Sequence, residues 1–249
     1  MNKRSIERSY RRIETLVFER KLKDALDVLK DLVINSRKGD YISQYESLDS
    51  TYENLLKYSV EGAPDPEREN IYNRLLISVL ELADVALQYA YMNDSEQYIY
   101  RIKKKIEFES KQVQDETISN IENLVFDKEL SNVLQSSIES GRNEKEEYDK
   151  HHELLLRIFN IVWLTDKFNE TDEKLLHSIW NNKHFPWHEQ AVVVSALTLS
   201  AIRCFDTRKI GLLTDFSSDP NKQVRYRALT GLFFTLYLYD HRLELYPSL

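Results

Sequence analysis

Apolar residues recur every three to four positions along most of the chain, and nowhere do they alternate with polar ones over the length of a strand. The pattern opens with Ile6, Tyr10, Ile13 and Val17 and continues through Leu22, Ala25, Leu26, Leu29, Leu32 and Val33. The charged step Glu19-Arg20-Lys21 is either a turn between two helices or part of one long helix. Gly39-Asp40 closes the region, with Arg37 and Lys38 placed to meet the negative end of a helix dipole. Residues 41–58 form the next expected helix, with Tyr45, Leu48, Tyr52, Leu55 and Leu56 on one face. Gly62-Ala63-Pro64-Asp65-Pro66 breaks the chain; Asp65 suits an N-cap and Pro66 the first helical position. A helix to about residue 92 follows, carrying Ile71, Leu75, Leu76, Val79, Leu82, Ala83, Ala86 and Ala90.

Beyond Asn93-Asp94-Ser95 the segment is highly charged. Ile99, Ile102, Ile106, Val113, Ile121 and Leu124 keep a roughly seven-residue rhythm, which predicts a long helical hairpin or arm. Ser140-Gly141-Arg142-Asn143 is the expected boundary between an N-terminal region, 1–140, and a C-terminal one, 141–249. Shorter, more apolar helices are predicted over 147–164, 172–181 (Thr171 as N-cap), 186–204, 207–216 and, opened by Asp219-Pro220, 220–239. The fold class is all-α.

Composition agrees. Five glycines and five prolines stand against about 17 and 12 at average usage, too few for the many turns of a strand-rich fold. The lone Cys204 excludes an intramolecular disulfide or a cysteine-based zinc site and reads as a small core residue. A formal charge of −7 disfavours general nucleic-acid binding. The first twenty residues lack the apolar run of a signal peptide, and no window reaches the apolar length expected of a membrane span. A cytoplasmic protein is the expectation.

The sequence repeats internally. Ser195-Ala196-Leu197-Thr198 returns as Arg227-Ala228-Leu229-Thr230, and Asp206 returns as Asp240, spacings that fit a two-helix repeat. Asp219, Val224, Arg225, Ala228, Gly231 and Leu232 resemble the second-helix pattern of a HEAT repeat, whose neighbouring copies link Asp and Arg in a ladder. The preceding copy departs from it, with Trp187 and Val193 at those places. Leu22, Ala25, Leu29 and Leu32 resemble the second helix of a tetratricopeptide hairpin, although Ile13 stands where that family has glycine. As a whole the chain is similar to the N-terminal segments of large bacterial helical-repeat proteins of unknown function. These resemblances imply an α-solenoid-like stack of antiparallel hairpins and no active site.

Candidate chemistry is sparse. The phosphate-binding, zincin and serine-elbow motifs are absent. His177, His184, His188 and Glu189 are the best metal-ligating group, set against a plain inter-helix turn in which Trp187 anchors the next helix. His151 and His152 point about 100° apart on a helix and read as a solvated face. Arg101 with Lys103, Lys104 and Lys105 reads as the wet side of an amphipathic helix rather than a phosphate site. Arg225 and Arg227 raise a nucleic-acid contact that Asp215, Asp219 and Asp240 dilute. Tyr89, Tyr91, Tyr98 and Tyr100 are either a binding patch or inter-helix seams.

The run from Leu232 to Tyr239 is apolar on every side of a helix, so Phe233, Phe234, Leu236 and Tyr237 should be covered by later repeats of a longer chain or by a second copy. The expected function is protein–protein interaction or scaffolding, without catalysis, cofactor, metal or membrane. A HEAT-like nucleic-acid-binding or base-excising module is the alternative, and a hydrolase built on the histidine group a third possibility.

Overall fold

Ile6, Ile13, Leu16 and Val17 are buried along one side of the first helix, α1 (Lys3–Phe18), at the spacing their sequence positions set. The computed structural model describes residues 3–60, 67–94, 97–107, 119, 143–181 and 185–247, and among these the secondary structure is helical, with no strand. The break at Gly62–Pro66, the break at Ser140–Arg142, and Val113, Ile121 and Leu124 lie outside the described residues. Two compact units are present: Met1–Tyr100 with Glu244–Ser248, and Arg101–Leu243.

In the first unit a turn, not a continuous helix, separates α1 from α2 (Leu22–Ser36). The Arg20 N–H bonds the Val17 carbonyl and the Lys21 N–H that of Leu16, a Schellman closure with Arg20 left-handed at φ 58°. That conformation costs a non-glycine residue about 1–2 kcal/mol. Arg20 is held in it from α4 (Arg68–Asp94): its guanidinium bonds Glu69 (2.5 Å) and Asn73 (3.1 Å), and the Tyr72 hydroxyl donates to its carbonyl. The far end of α4 reaches the other end of α2, where Asn93 donates to the Ser36 carbonyl and Lys38 to the Tyr89 hydroxyl. Helices α2 and α4 therefore run parallel. Helix α3 (Gly39–Val60) lies on this pair through Tyr45, Leu48, Tyr52 and Leu55, whereas Leu56 is exposed. Contrary to the expectation from sequence, one helix, α4 over Arg68–Asn93, is long and apolar enough to cross a membrane; the most apolar part of it is largely buried within the unit, beside α1, α2 and α3.

The second unit begins within α5, helical over residues 98–107. It continues through α6 (Asn143–Leu164), α7 (Glu170–Asn181), α8 (Trp187–Arg203), α9 (Thr207–Phe216), α10 (Lys222–Leu238) and the single turn α11 (Asp240–Leu243). Helix α8 packs between α6 and α10, while α7 packs on α9 and α9 also meets α8 and α10. The caps differ from expectation in two places. Asn169, not Thr171, takes the first N–H groups of α7, and Asn221, not Asp219, caps α10. Asp219 sits deeper: one carboxylate oxygen accepts the Asn221 N–H and the other the Trp180 indole N–H, both at 2.7 Å.

Where α6 and α8 end, a buried ionic group joins four elements. Asp166 accepts from Lys103 of α5 and from Arg203 of α8. Burial alone would raise the Asp166 carboxyl, but Lys103 and Arg203 override it and hold it below the usual carboxylate range. Lys103 is thus not on the wet side of its helix: its ammonium is drawn inward by Asp166. Beside it the fully buried Lys209 of α9 donates to the carbonyls of Thr165 (3.0 Å) and Asp166 (2.6 Å) and approaches those of Ser200 and Cys204 (3.5 Å each). It also lies 5.0 Å from the Phe168 ring. Further along the chain, buried Arg242 lies over Phe205 at 5.5 Å and Tyr239 at 5.3 Å. Both buried cations are thus set on a phenylalanine that precedes them in the chain, Lys209 on Phe168 and Arg242 on Phe205.

Helix α10 approaches α8 closely because Gly231 has no side chain. A Cβ there would come 2.1 Å from Thr198 Oγ1 and 3.1 Å from both its Cβ and Cγ2. Gly231→Ala should lower stability by about 1–3 kcal/mol. Adding Thr198→Ala should recover part of that loss in denaturant titrations, giving a coupling that independent sites would lack.

Burial pushes the Lys209 ammonium down to about 8, with Cys204 and Asp206 opposing. The unfolded lysine titrates near 10.5, so between these values the unfolded chain binds the proton that the folded one has released. The destabilisation from this charge is complete below pH 8 and relieved as pH rises towards 10.5. Measured by denaturation over that window, wild-type stability should gain on Lys209→Met as pH increases.

Candidate interaction surfaces

Val224, Ala228, Gly231 and Thr235 form the buried side of α10. Successive residues turn about 100°, which puts Tyr226, Leu229, Phe233 and Tyr237 on the opposite side, facing solvent. Tyr226 is 56% exposed, Phe233 64%, Phe234 50% and Tyr237 77%. The rings are ordered against one another: Phe233 stacks on Tyr237 with 6.2 Å between centroids and meets Phe234 edge-on at 5.8 Å. Leu236 is half-buried, and Leu229, Leu238 and Leu199 add exposed aliphatic surface. At the N-terminal end of α10, Lys222, Arg225 and Arg227 are its only charged residues. Arg225 donates to the Asp219 carbonyl (3.0 Å) and Arg227 to the Ser195 hydroxyl (2.7 Å). The run Leu232–Tyr239 is apolar on every side, as its sequence has it, yet only one side of the helix is buried.

The four tyrosines of the first unit divide. Tyr89 is buried, with Lys38 4.2 Å from its ring centroid and Tyr41 set edge-on at 5.1 Å. Tyr91 donates its hydroxyl to Glu7 (3.0 Å); burial, then that hydrogen bond, raise its pKa above the ordinary phenol range. Tyr10 likewise donates to the buried Asp84 of α4 (2.7 Å). These groups join α1 to α4. Tyr98 is exposed, and Tyr100 half-exposed.

Of the histidines set against a plain inter-helix turn, only His177 and His188 lie among the described residues, and they are apart in their surroundings. His177 lies against Trp180, His188 is exposed, and His184 is outside the described residues. Trp187 is half-exposed and does not anchor α8; the buried Phe185 does. Glu189 turns instead to His151, whose Nε2 lies 2.7 Å from its Oε1. His151 is thus partly buried and paired, while His152 remains exposed. Sequence reasoning missed this pair because its members are 38 residues apart and share no local motif. Glu189 Oε2 and His151 Nδ1 are buried and have no hydrogen-bond partner among the described residues. Among those residues no three His, Cys, Asp or Glu side chains converge to hold a metal.

No protein-family model matches the chain, and comparisons with curated proteins and with solved structures give no match.

Since Phe233 and Tyr237 bury little of themselves, Phe233→Ser with Tyr237→Ser should change the unfolding free energy of the dilute, monomeric protein by no more than about 0.5 kcal/mol. Under the same dilute conditions the double variant should bind markedly less of a hydrophobic fluorescent dye, read by titration of the folded monomer.

Proposed function

We propose that the chain is a protein-interaction or scaffolding segment whose second unit is an α-solenoid-like stack of HEAT-like hairpins and whose first unit is built from tetratricopeptide-like ones. The exposed aromatic side of α10 carries this reading. The largest contiguous apolar patch on a monomer is typically about 300–600 Å² and often functional, and the aromatic side of α10 is of that order. Tyrosine and phenylalanine are also the residues enriched where proteins bury one another's surface. The repeat reading is supported by links joining each hairpin to the next at similar separations. Arg227 reaches Ser195 across 32 residues, Tyr239 the Ile202 carbonyl across 37, the Phe168 N–H Asp206 across 38, and Trp180 Asp219 across 39.

The nucleic-acid alternative receives less support. Arg225 is engaged with its own turn and Arg227 with Ser195, and the net charge of −7 opposes a phosphate backbone. The protein belongs, on this proposal, in the cytoplasm, with Cys204 reduced and buried.

The test is affinity capture from native lysate with nuclease treatment, comparing wild type with Phe233→Ser/Tyr237→Ser. A protein partner that survives nuclease and is lost with the double variant supports the proposal. Capture that vanishes on nuclease treatment, or that the variant leaves unchanged, overturns it.

A further inference from the structure

Resting on the reading of α10 as an interaction surface, we infer that its occupant is a second copy of this chain, bound about a two-fold axis that passes near Phe233. Direction is the first argument. Helix α10 meets α8 through Gly231 against Thr198 and Arg227 against Ser195. Leu229 and Phe233 lie two residues further on, about 200° around the helix from those contacts. They therefore face away from α8, in the direction in which the row α6, α8, α10 would continue. A second α10 set there continues the row with the same kind of surface on both sides, as an isologous contact requires.

Area is the second argument. An aromatic side chain carries roughly 200 Å² of surface. At the exposures of Tyr226, Phe233, Phe234 and Tyr237 the four rings present on the order of 500 Å² before Leu229, Leu238 and the aliphatic part of Lys222 are added. A stable interface needs about 800 Å² from each partner. The patch supplies most of that from one helix and exceeds what a lone aromatic anchor needs.

Charge fixes the orientation. All charged residues of α10 are basic and lie in its first six positions, while its far end offers the exposed Asp240 and the negative end of the helix dipole. Two parallel copies would bring like charges together. An antiparallel pair sets the Lys222–Tyr226 end of each helix over the Asp240 end of the other. With Phe233 facing its own counterpart, Leu229 meets Tyr237 of the second copy, and no carboxylate enters the apolar centre.

The test uses the full chain. Sedimentation equilibrium across a concentration series should show a reversible monomer–dimer transition, and Phe233→Glu should raise its dissociation constant at least 30-fold, the scale of a lost hot spot, with helical circular dichroism unchanged. The register is read by oxidation: Phe233→Cys should form an intermolecular disulfide with itself, whereas Tyr226→Cys, displaced from the axis, should not. Cys204 is buried and does not interfere. A wild type that stays monomeric at every concentration, or a dimer indifferent to Phe233→Glu, overturns the inference. If the lysate capture nonetheless still depends on Phe233 and Tyr237, the interaction reading stands with a different occupant.

Discussion

The second unit depends on what is done with the carbonyl groups where its helices end. The last carbonyls of a helix have no partner within it and carry the negative end of the dipole. In a stack those ends are brought together and removed from water. Here Lys209 enters from α9 and gives its ammonium hydrogens to the carbonyls after α6, while the Asp166 side chain takes Lys103 and Arg203. A buried ion pair is no guarantee of stability, because desolvation offsets most of the attraction. What it does is tie α5, α8 and α9 to the chain just after α6 at one place. Arg242 shares one part of this arrangement, a buried cation set on a phenylalanine ring, with Phe205 where Lys209 has Phe168.

From this frame the exposed face of α10 follows. Gly231 sets how closely α10 can approach α8, and the tie between Trp180 and Asp219 sets where the turn before α10 begins. With one side of α10 committed to α8 and α9, the opposite side has no neighbour among the described residues of the unit, and Phe233 stacks on Tyr237. The first unit solves the corresponding problem differently. It closes its turns with left-handed Arg20 and Arg37 rather than glycine, and links α1 to α4 through tyrosine hydroxyls that reach buried or half-buried carboxylates.

Helix class and periodicity were legible because they depend on local order: apolar spacing, scarce glycine, and short polar breaks decide where helices can run. Caps were only half legible. Asp, Asn, Ser and Thr are all competent at a helix start, so the choice between Asp219 and Asn221 depended on Trp180 drawing Asp219 away, a contact 39 residues distant. Lys103 was misread for a related reason, since an amphipathic pattern assigns lysine to water until a buried carboxylate supplies a better partner. His151 and Glu189 meet because two helices pack, not because of any spacing between them.

The sequence by itself determined the helical class, the approximate ends of most described helices and the apolar character of the second half of α10, because each is set by interactions within a few residues. Only the tertiary structure decided which polar groups are buried and which side of an all-round apolar helix is left to solvent. Those outcomes depend on desolvation and on the nearest available partner, and both are fixed by the packing of residues that lie far apart in the chain.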